Sequence, residues 1–151
     1  MAMQKQDSYH VSLKLLLQNS ESHILALKAL NNSNLAGYYD MPGGRIDEDE
    51  FTTPLEDILR REVKEEIGDA QVHIDLNPVA VSRGFYSPAG GKDVHIFYVF
   101  FKADYKGGDV MISDEHTDHI WINLKEVDPK KYFTAGILEG IEMYLKKIDA
   151  K

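Results

Sequence analysis

Apolar positions along the chain follow two periods. Residues 9–17 (YHVSLKLLL) alternate and then turn apolar throughout, as a β-strand does. Residues 18–22 (QNSES) are a turn and residues 23–30 a second strand, so a hairpin opens the fold. An Asn-rich loop at 31–36 leads into a short strand at 38–41. Residues 72–74 read as a short edge strand. Residues 79–86 (VAVSRGFY) and 94–102 (VHIFYVFFK) read as longer strands joined by a hairpin loop at 88–91. The run HIFYVFF is apolar throughout, which predicts a central strand covered on both faces, with His95 half-buried and satisfied. Residues 106–109 form a turn, and 120–122 (IWI) form a last strand after an acidic loop.

Two other stretches have helical period. Leu55, Ile58, Leu59, Val63 and Ile67 recur at steps of three and four. Thr53, Pro54 and Glu56 supply a capping-box start, and Gly68 a C-cap. Near the end of the chain, Thr134 caps a helix with the stripe Ile137, Leu138, Ile141, Leu145 and Ile148. This helix is expected to cover the sheet opposite the first. Strands, helix, strands, helix predict an α+β chain, an α/β/α sandwich around a mixed β-sheet. At 151 residues and 43% hydrophobic, residues 1–151 are expected to form a single domain with one ordinary core.

Composition removes several kinds of chemistry. There are no cysteines, so disulfides, thiolate metal sites and cysteine nucleophiles are excluded. The net charge of −8 disfavours nucleic acid and anionic membranes as partners. Residues 1–8 are polar, without a signal-peptide pattern, and no apolar run approaches the roughly 18 residues of a membrane helix. A cytoplasmic location is expected, and a homodimer is compatible with the sequence.

The first helix is electrostatically awkward. Glu62, Glu65 and Glu66 stand at i, i+3 and i+4, where each like-charge pair costs about 0.2–0.5 kcal/mol. They also lie at the helix end where the macrodipole disfavours negative charge. At about 100° per residue they share one arc beside the apolar stripe, at the rim of a groove. A divalent cation would remove the repulsion, and hard ions such as Mg²⁺ choose oxygen ligands together with substrate phosphates. A solvated acidic face is the alternative.

The spacing decides between these readings. Gly44, five residues, Glu50, and then Arg61-Glu62-Val63-Lys64-Glu65-Glu66-Ile67-Gly68 resemble the signature of the Nudix hydrolases. That signature is a glycine, a glutamate after five residues, then R-E-apolar-x-E-E-x-G. The motif covers about a sixth of the chain and departs from the family in two places. Residues 51–60 make ten between Glu50 and Arg61 where the family has seven, and Asp69 stands where an apolar residue is usual. The resemblance implies the Nudix fold and hydrolysis of a nucleoside diphosphate linked to another moiety X. The products would be a nucleoside monophosphate and phosphorylated X. It implies Mg²⁺ or Mn²⁺ held by Glu62, Glu65, Glu66 and the Gly43 carbonyl, with Arg61 orienting Glu62 by a bidentate pair. Glu62, Glu65, Arg61 and Glu115 are the catalytic candidates. Glu115, six residues before Trp121, matches a position that gives a metal ligand or general base in several members; Asp114, Asp118 and His116 are its rivals.

Tyr39, Tyr86 and Arg45 are the candidate substrate-binding residues. Tyr86 lies near a tyrosine typical of the dinucleoside polyphosphate branch. Gly84 stands where the ADP-ribose branch tends to have proline, and the coenzyme A pattern is absent. Nucleoside triphosphates stay equally open. A non-catalytic nucleotide-sensing module of the same fold is the alternative, although such modules usually lose the glutamates retained here. An allylic diphosphate isomerase would need a cysteine that the chain lacks.

Overall fold

The computed structural model describes residues 3–150. Seven strands form one sheet: β1 Tyr9–Gln18, β2 Ile24–Ala29, β3 Tyr39–Asp40, β4 Gly43–Arg45, β5 Gln71–Tyr86, β6 Val94–Gly107 and β7 His116–Ile122. Two helices, α1 Leu55–Ile67 and α2 Ala135–Asp149, complete the fold. The main path of the sheet runs β3-β2-β1-β6-β5, with β4 on β1 and β7 on β2. β1 and β6 run parallel over ten registered pairs from Tyr9↔His95 to Gln18↔Asp104, and the other pairs are antiparallel. The sheet is therefore mixed, as expected.

Alternation along β1 divides the core. Leu13, Leu15 and Leu17 pack with Ile58, Leu59, Val63 and Ile67 of α1 and with Phe101. Leu16 packs with Phe100 and with Ile137, Ile141 and Tyr144 of α2. Consecutive residues of β6 thus serve opposite layers, which is what an apolar central strand requires. Each helix covers one face, and the α/β/α sandwich holds. No helix among the described residues is long and apolar enough to cross a membrane.

Several boundaries differ from expectation. The stretches 72–74 and 79–86 are one strand, β5, with register breaks between Asp75 and Pro78 and between Pro78 and Ala80. Proline has no N–H to give the ladder, so the strand bulges there without ending. β6 continues to Gly107, beyond the expected end at 102 and into the expected turn, because β5 pairs with it that far. β7 begins at His116, because pairing with β2 draws in half of the acidic loop. The opening hairpin pairs only at its tip, Gln18↔Ile24, after which β1 and β2 take other partners. His95 is exposed, with its ring 2.7 Å from Asp7.

The caps also differ. Thr53 does not cap α1: Pro54 is the N-cap residue, with ψ 140 and no side-chain hydrogen bond. Thr53 instead donates its N–H to the Glu50 carbonyl at 3.0 Å, closing a turn. A residue before proline is held out of the helical region, so the helix starts after Pro54. Gly68 ends α1 at φ 75, as its expected role demands. Thr134 is the N-cap of α2 but makes no side-chain cap bond.

Gly140 carries the closest approach between helix and sheet, because a Cβ there would overlap the Phe100 ring. Gly140→Ala adds helix propensity worth about 1 kcal/mol but overpacks a filled core, which costs typically about 1–3 kcal/mol. Urea unfolding should therefore show a net loss of stability. A stabilised variant would mean that α2 is free to move off the sheet.

Candidate active site

Gly43 and Gly44, at the start of β4, lie against Glu66 and Glu62 in the C-terminal half of α1. Gly43 adopts φ +135, and a Cβ there would overlap the Leu13 carbonyl of β1. A Cβ on Gly44 would overlap the Glu62 carboxylate. Both glycines are therefore required: one by its conformation, both by close approach. The Gly43 N–H donates to Glu66 Oε1 at 2.7 Å. Glu66 is only 4% exposed, although it is ionisable and lies in the last turn of its helix.

The cleft beside these glycines has a volume of about 520 Å³. Asp40, Asp47, Glu62, Glu66 and Glu115 line it, against the cations Lys14 and Arg45. Lys14 is buried, with Nζ 3.0 Å from Asp40 Oδ2 and 3.5 Å from the Met41 carbonyl. Burial works to depress the Lys14 ammonium, but Asp40 and Glu66 outweigh it and hold the group above its ordinary value. Asp40 takes up that positive charge at hydrogen-bond distance, so Glu66 is the surplus carboxylate. Burial pushes Glu66 up to about 8, against the pull of Lys14 and the Gly43 N–H. Burial also raises Glu62, against the pull of Arg61. An enclosed excess of carboxylate is what a cation site requires, and it is costly without one.

Arg61 holds the back of this wall. Its Nε and Nη2 donate to Glu50 at 3.0 and 2.6 Å, and its Nη1 to Glu62 Oε1 at 2.9 Å and Glu65 Oε2 at 3.4 Å. The expected bidentate pair with Glu62 is instead made with Glu50, and Glu62 receives a single bond. The reason lies in the turn before the helix. The Asp47 N–H donates to Glu50 Oε1 at 2.9 Å and the Glu50 N–H to the Asp47 carbonyl at 2.9 Å, which fixes Glu50 facing Arg61. After Glu50 the chain makes a surface turn at 51–53 that leaves Phe51 exposed.

The remaining candidates divide. Glu62, Glu66, Glu115, Gly43, Arg45 and Tyr86 all line the cleft. Arg45 lies 4.7 Å over the Tyr86 ring and donates to its hydroxyl at 2.8 Å. Glu65 is not brought into the lining; its side chain is 55% exposed and turns toward Arg61. Tyr39 is not brought there either. It is half-buried and packs on Tyr132 with ring centroids 5.9 Å apart, against the core cluster of the α2 side. Asp114 and Asp118 are exposed and outside the lining, whereas His116 is inside it. His116 Nε2 lies 4.0 Å from Glu66 Oε2, and burial lowers the imidazole below its ordinary value. Sequence reasoning missed Lys14 and Asp40. The available signal was one charge inside the apolar run of β1.

Glu66 gives a pH signature in chelator-treated protein. Its folded value of about 8 lies above the ordinary 4.5, so its stabilising contribution is complete below about 4.5 and lost as pH rises toward 8. Melting temperature should fall across that window, and Glu66→Gln should flatten the fall. Parallel profiles for the two proteins would show that this carboxyl is not buried as described.

Residues 8–141 match the NUDIX domain. The nucleoside triphosphatase NudI of Salmonella schwarzengrund is 27% identical over 116 residues, covering 74% of this chain and 80% of that protein. Among solved structures, the MutT protein from Methanosarcina mazei Go1 superposes with a TM-score of 0.70 at 24% identity, over 96% of this chain and 99% of that one. The NUDIX domain of Shewanella oneidensis NrtR, solved with ADP ribose, superposes with a TM-score of 0.66 at 16% identity, over 96% and 90%. These two structures share the fold. The domain match spans most of the sequence, and the chain belongs to the Nudix hydrolase family.

Proposed function

We propose that the chain hydrolyses nucleoside diphosphates linked to a moiety X, with Mg²⁺ or Mn²⁺, giving a nucleoside monophosphate and phosphorylated X. The observation that carries this reading is half-buried Glu62 and buried Glu66 against Gly43 and Gly44 of β4, at the wall of a cleft rich in carboxylates. The donor set fits a hard divalent ion: the carboxylates of Glu62, Glu66 and Glu115 all line the cleft, together with Gly43. Glu65, exposed and turned toward Arg61, is outside this donor set. A bound ion would supply charge neutralisation of the diphosphate and acidification of water.

The chain's own residues do the rest. Arg61 holds Glu62 in place from behind while its fork is anchored on Glu50, so Glu62 keeps one orientation as charge develops. Gly43 holds Glu66 by its N–H. Glu115, exposed at the cleft wall, would use the carboxylate oxygen not given to the ion to accept the proton of the attacking water. Water adds to one phosphorus, and the phosphorylated X leaves with the bond electrons. Arg45, with Tyr86 beneath it, is the cation that meets the substrate's phosphates at the rim. Tyr39, outside the cleft, is not assigned a substrate contact. Nucleoside triphosphates are the first class to test, because the relative named a nucleoside triphosphatase matches 74% of the chain.

A panel of nucleoside triphosphates, dinucleoside polyphosphates, ADP-ribose and sugar nucleotides should yield a nucleoside monophosphate from at least one member, with Mg²⁺ or Mn²⁺ and not with chelator. Glu62→Gln and Glu66→Gln should each lower kcat/KM by about 10²-fold or more, the scale on which loss of one charge-stabilising group is felt. Turnover in chelator, or full activity in both variants, would contradict the reading.

A further inference from the structure

Most charged groups of the cleft and its supporting wall find partners within the chain. Lys14 has Asp40, Arg45 has Tyr86, and Arg61 has Glu50 and Glu62. His116 is different. Its side chain is 8% exposed, and Nδ1 is sealed without a hydrogen-bond partner among the described residues. Nε2 stands 4.0 Å from Glu66 Oε2, beyond hydrogen-bond reach. Buried polar side chains are ordinarily hydrogen-bonded, and each exception calls for a reason. The sealed nitrogen is Nδ1; Nε2, on the Glu66 side and without a hydrogen bond of its own, is the nitrogen left to meet a ligand from the cleft.

Two further observations point to the kind of ligand. One donor atom each from Glu66, Glu115 and His116 lie within 4.8 Å of one another. Donors bound to one divalent ion at the usual lengths lie about 3–4.5 Å apart, so a small adjustment closes the set. The backbone is also shaped for this. Lys28 pairs with Asp118, but Ala29 pairs with His116 and not with Thr117, after a register shift between Lys28 and Ala29. Such bulges re-aim a side chain beside a site.

We infer that His116 is a nitrogen donor to the divalent ion, through Nε2 and beside Glu66 and Glu115, and that it biases the centre toward Mn²⁺ and later first-row ions over Mg²⁺. This rests on the metal-dependent reading above. Mg²⁺ favours oxygen and gives up its waters reluctantly, whereas imidazole suits transition metals. A centre of carboxylates and a carbonyl alone would carry no such bias.

The test uses Mn²⁺ bound to the full chain without nucleotide, read by pulsed electron paramagnetic resonance. The expected result is a hyperfine coupling from one directly bound nitrogen, which changes to the ¹⁵N pattern when histidine is ¹⁵N-labelled. His116→Gln should abolish it. Calorimetry on the same variant should show Mn²⁺ affinity down about tenfold and Mg²⁺ affinity within about twofold of the original, as loss of a nitrogen donor predicts. Bound Mn²⁺ with no histidine nitrogen coupling, or coupling retained in the variant, overturns the inference and leaves the metal-dependent reading intact. No bound Mn²⁺ overturns both. If the glutamine variant does not fold, the isotope comparison on the unaltered chain decides, since absence of the ¹⁵N pattern there overturns the inference.

Discussion

The Glu66 carboxylate lies in the last turn of α1 with the Gly43 N–H pointing at it from 2.7 Å. Carboxylates are disfavoured at that end of a helix and in that degree of burial. The backbone N–H offsets part of the cost, and Lys14 offsets more, yet the group still sits near 8. The arrangement is possible only because the chain at 43–44 carries no side chains. A methyl group at either position would strike β1 or Glu62. The sheet holds the glycines, since β4 pairs with β1 from Ser12↔Arg45 to Lys14↔Gly43. The apolar face of α1, packed on Leu13, Leu15 and Leu17, holds the carboxylate. Strand, glycines and helix thus converge on one buried carboxyl group.

A second fork of ion pairs keeps the neighbouring carboxylate in order. Arg61 spends its bidentate face on Glu50 and gives Glu62 a single bond. Glu50 is itself fixed by the Asp47 turn. Charge-assisted bonds of this kind add geometric specificity as well as energy. The turn closed by Asp47 and Glu50 fixes Glu50 on Arg61 whatever the length of the segment that follows. Held in this way, Glu62 and Glu66 present an acidic wall to the cleft, and anionic phosphates would approach it only with cations in place.

Much of this was legible in the sequence. The period of α1 and the charges of 61–68 were local features, and local patterns survive folding. Gly44 and the Gly43 carbonyl were legible only through the resemblance, and the structure puts both glycines in β4. What escaped was long-range. Glu50 and Arg61 are eleven residues apart with a turn and a proline between them, and nothing local says that they meet. Lys14 and Asp40 belong to strands that are not neighbours in sequence. Tyr39 looked available to substrate, but it packs half-buried on Tyr132 outside the cleft. Strand ends were misjudged wherever a partner strand overrode the local signal, as at Pro78 in β5 and at the start of β7. His116 was legible as a titratable group but not as a buried one, because its burial follows from a register shift that no pattern announces.

The central claim is that Gly43 and the carboxylates of α1 form a seat for a divalent cation. Anomalous diffraction at the manganese edge, from crystals grown with Mn²⁺ and a non-hydrolysable nucleotide, addresses it directly. The account predicts a peak in the cleft, bounded by Glu62, Glu66 and the Gly43 carbonyl, with nucleotide phosphate oxygens completing the coordination. A cleft without a peak, in crystals that hold the nucleotide and with Glu66 unmoved on the Gly43 N–H, would contradict it.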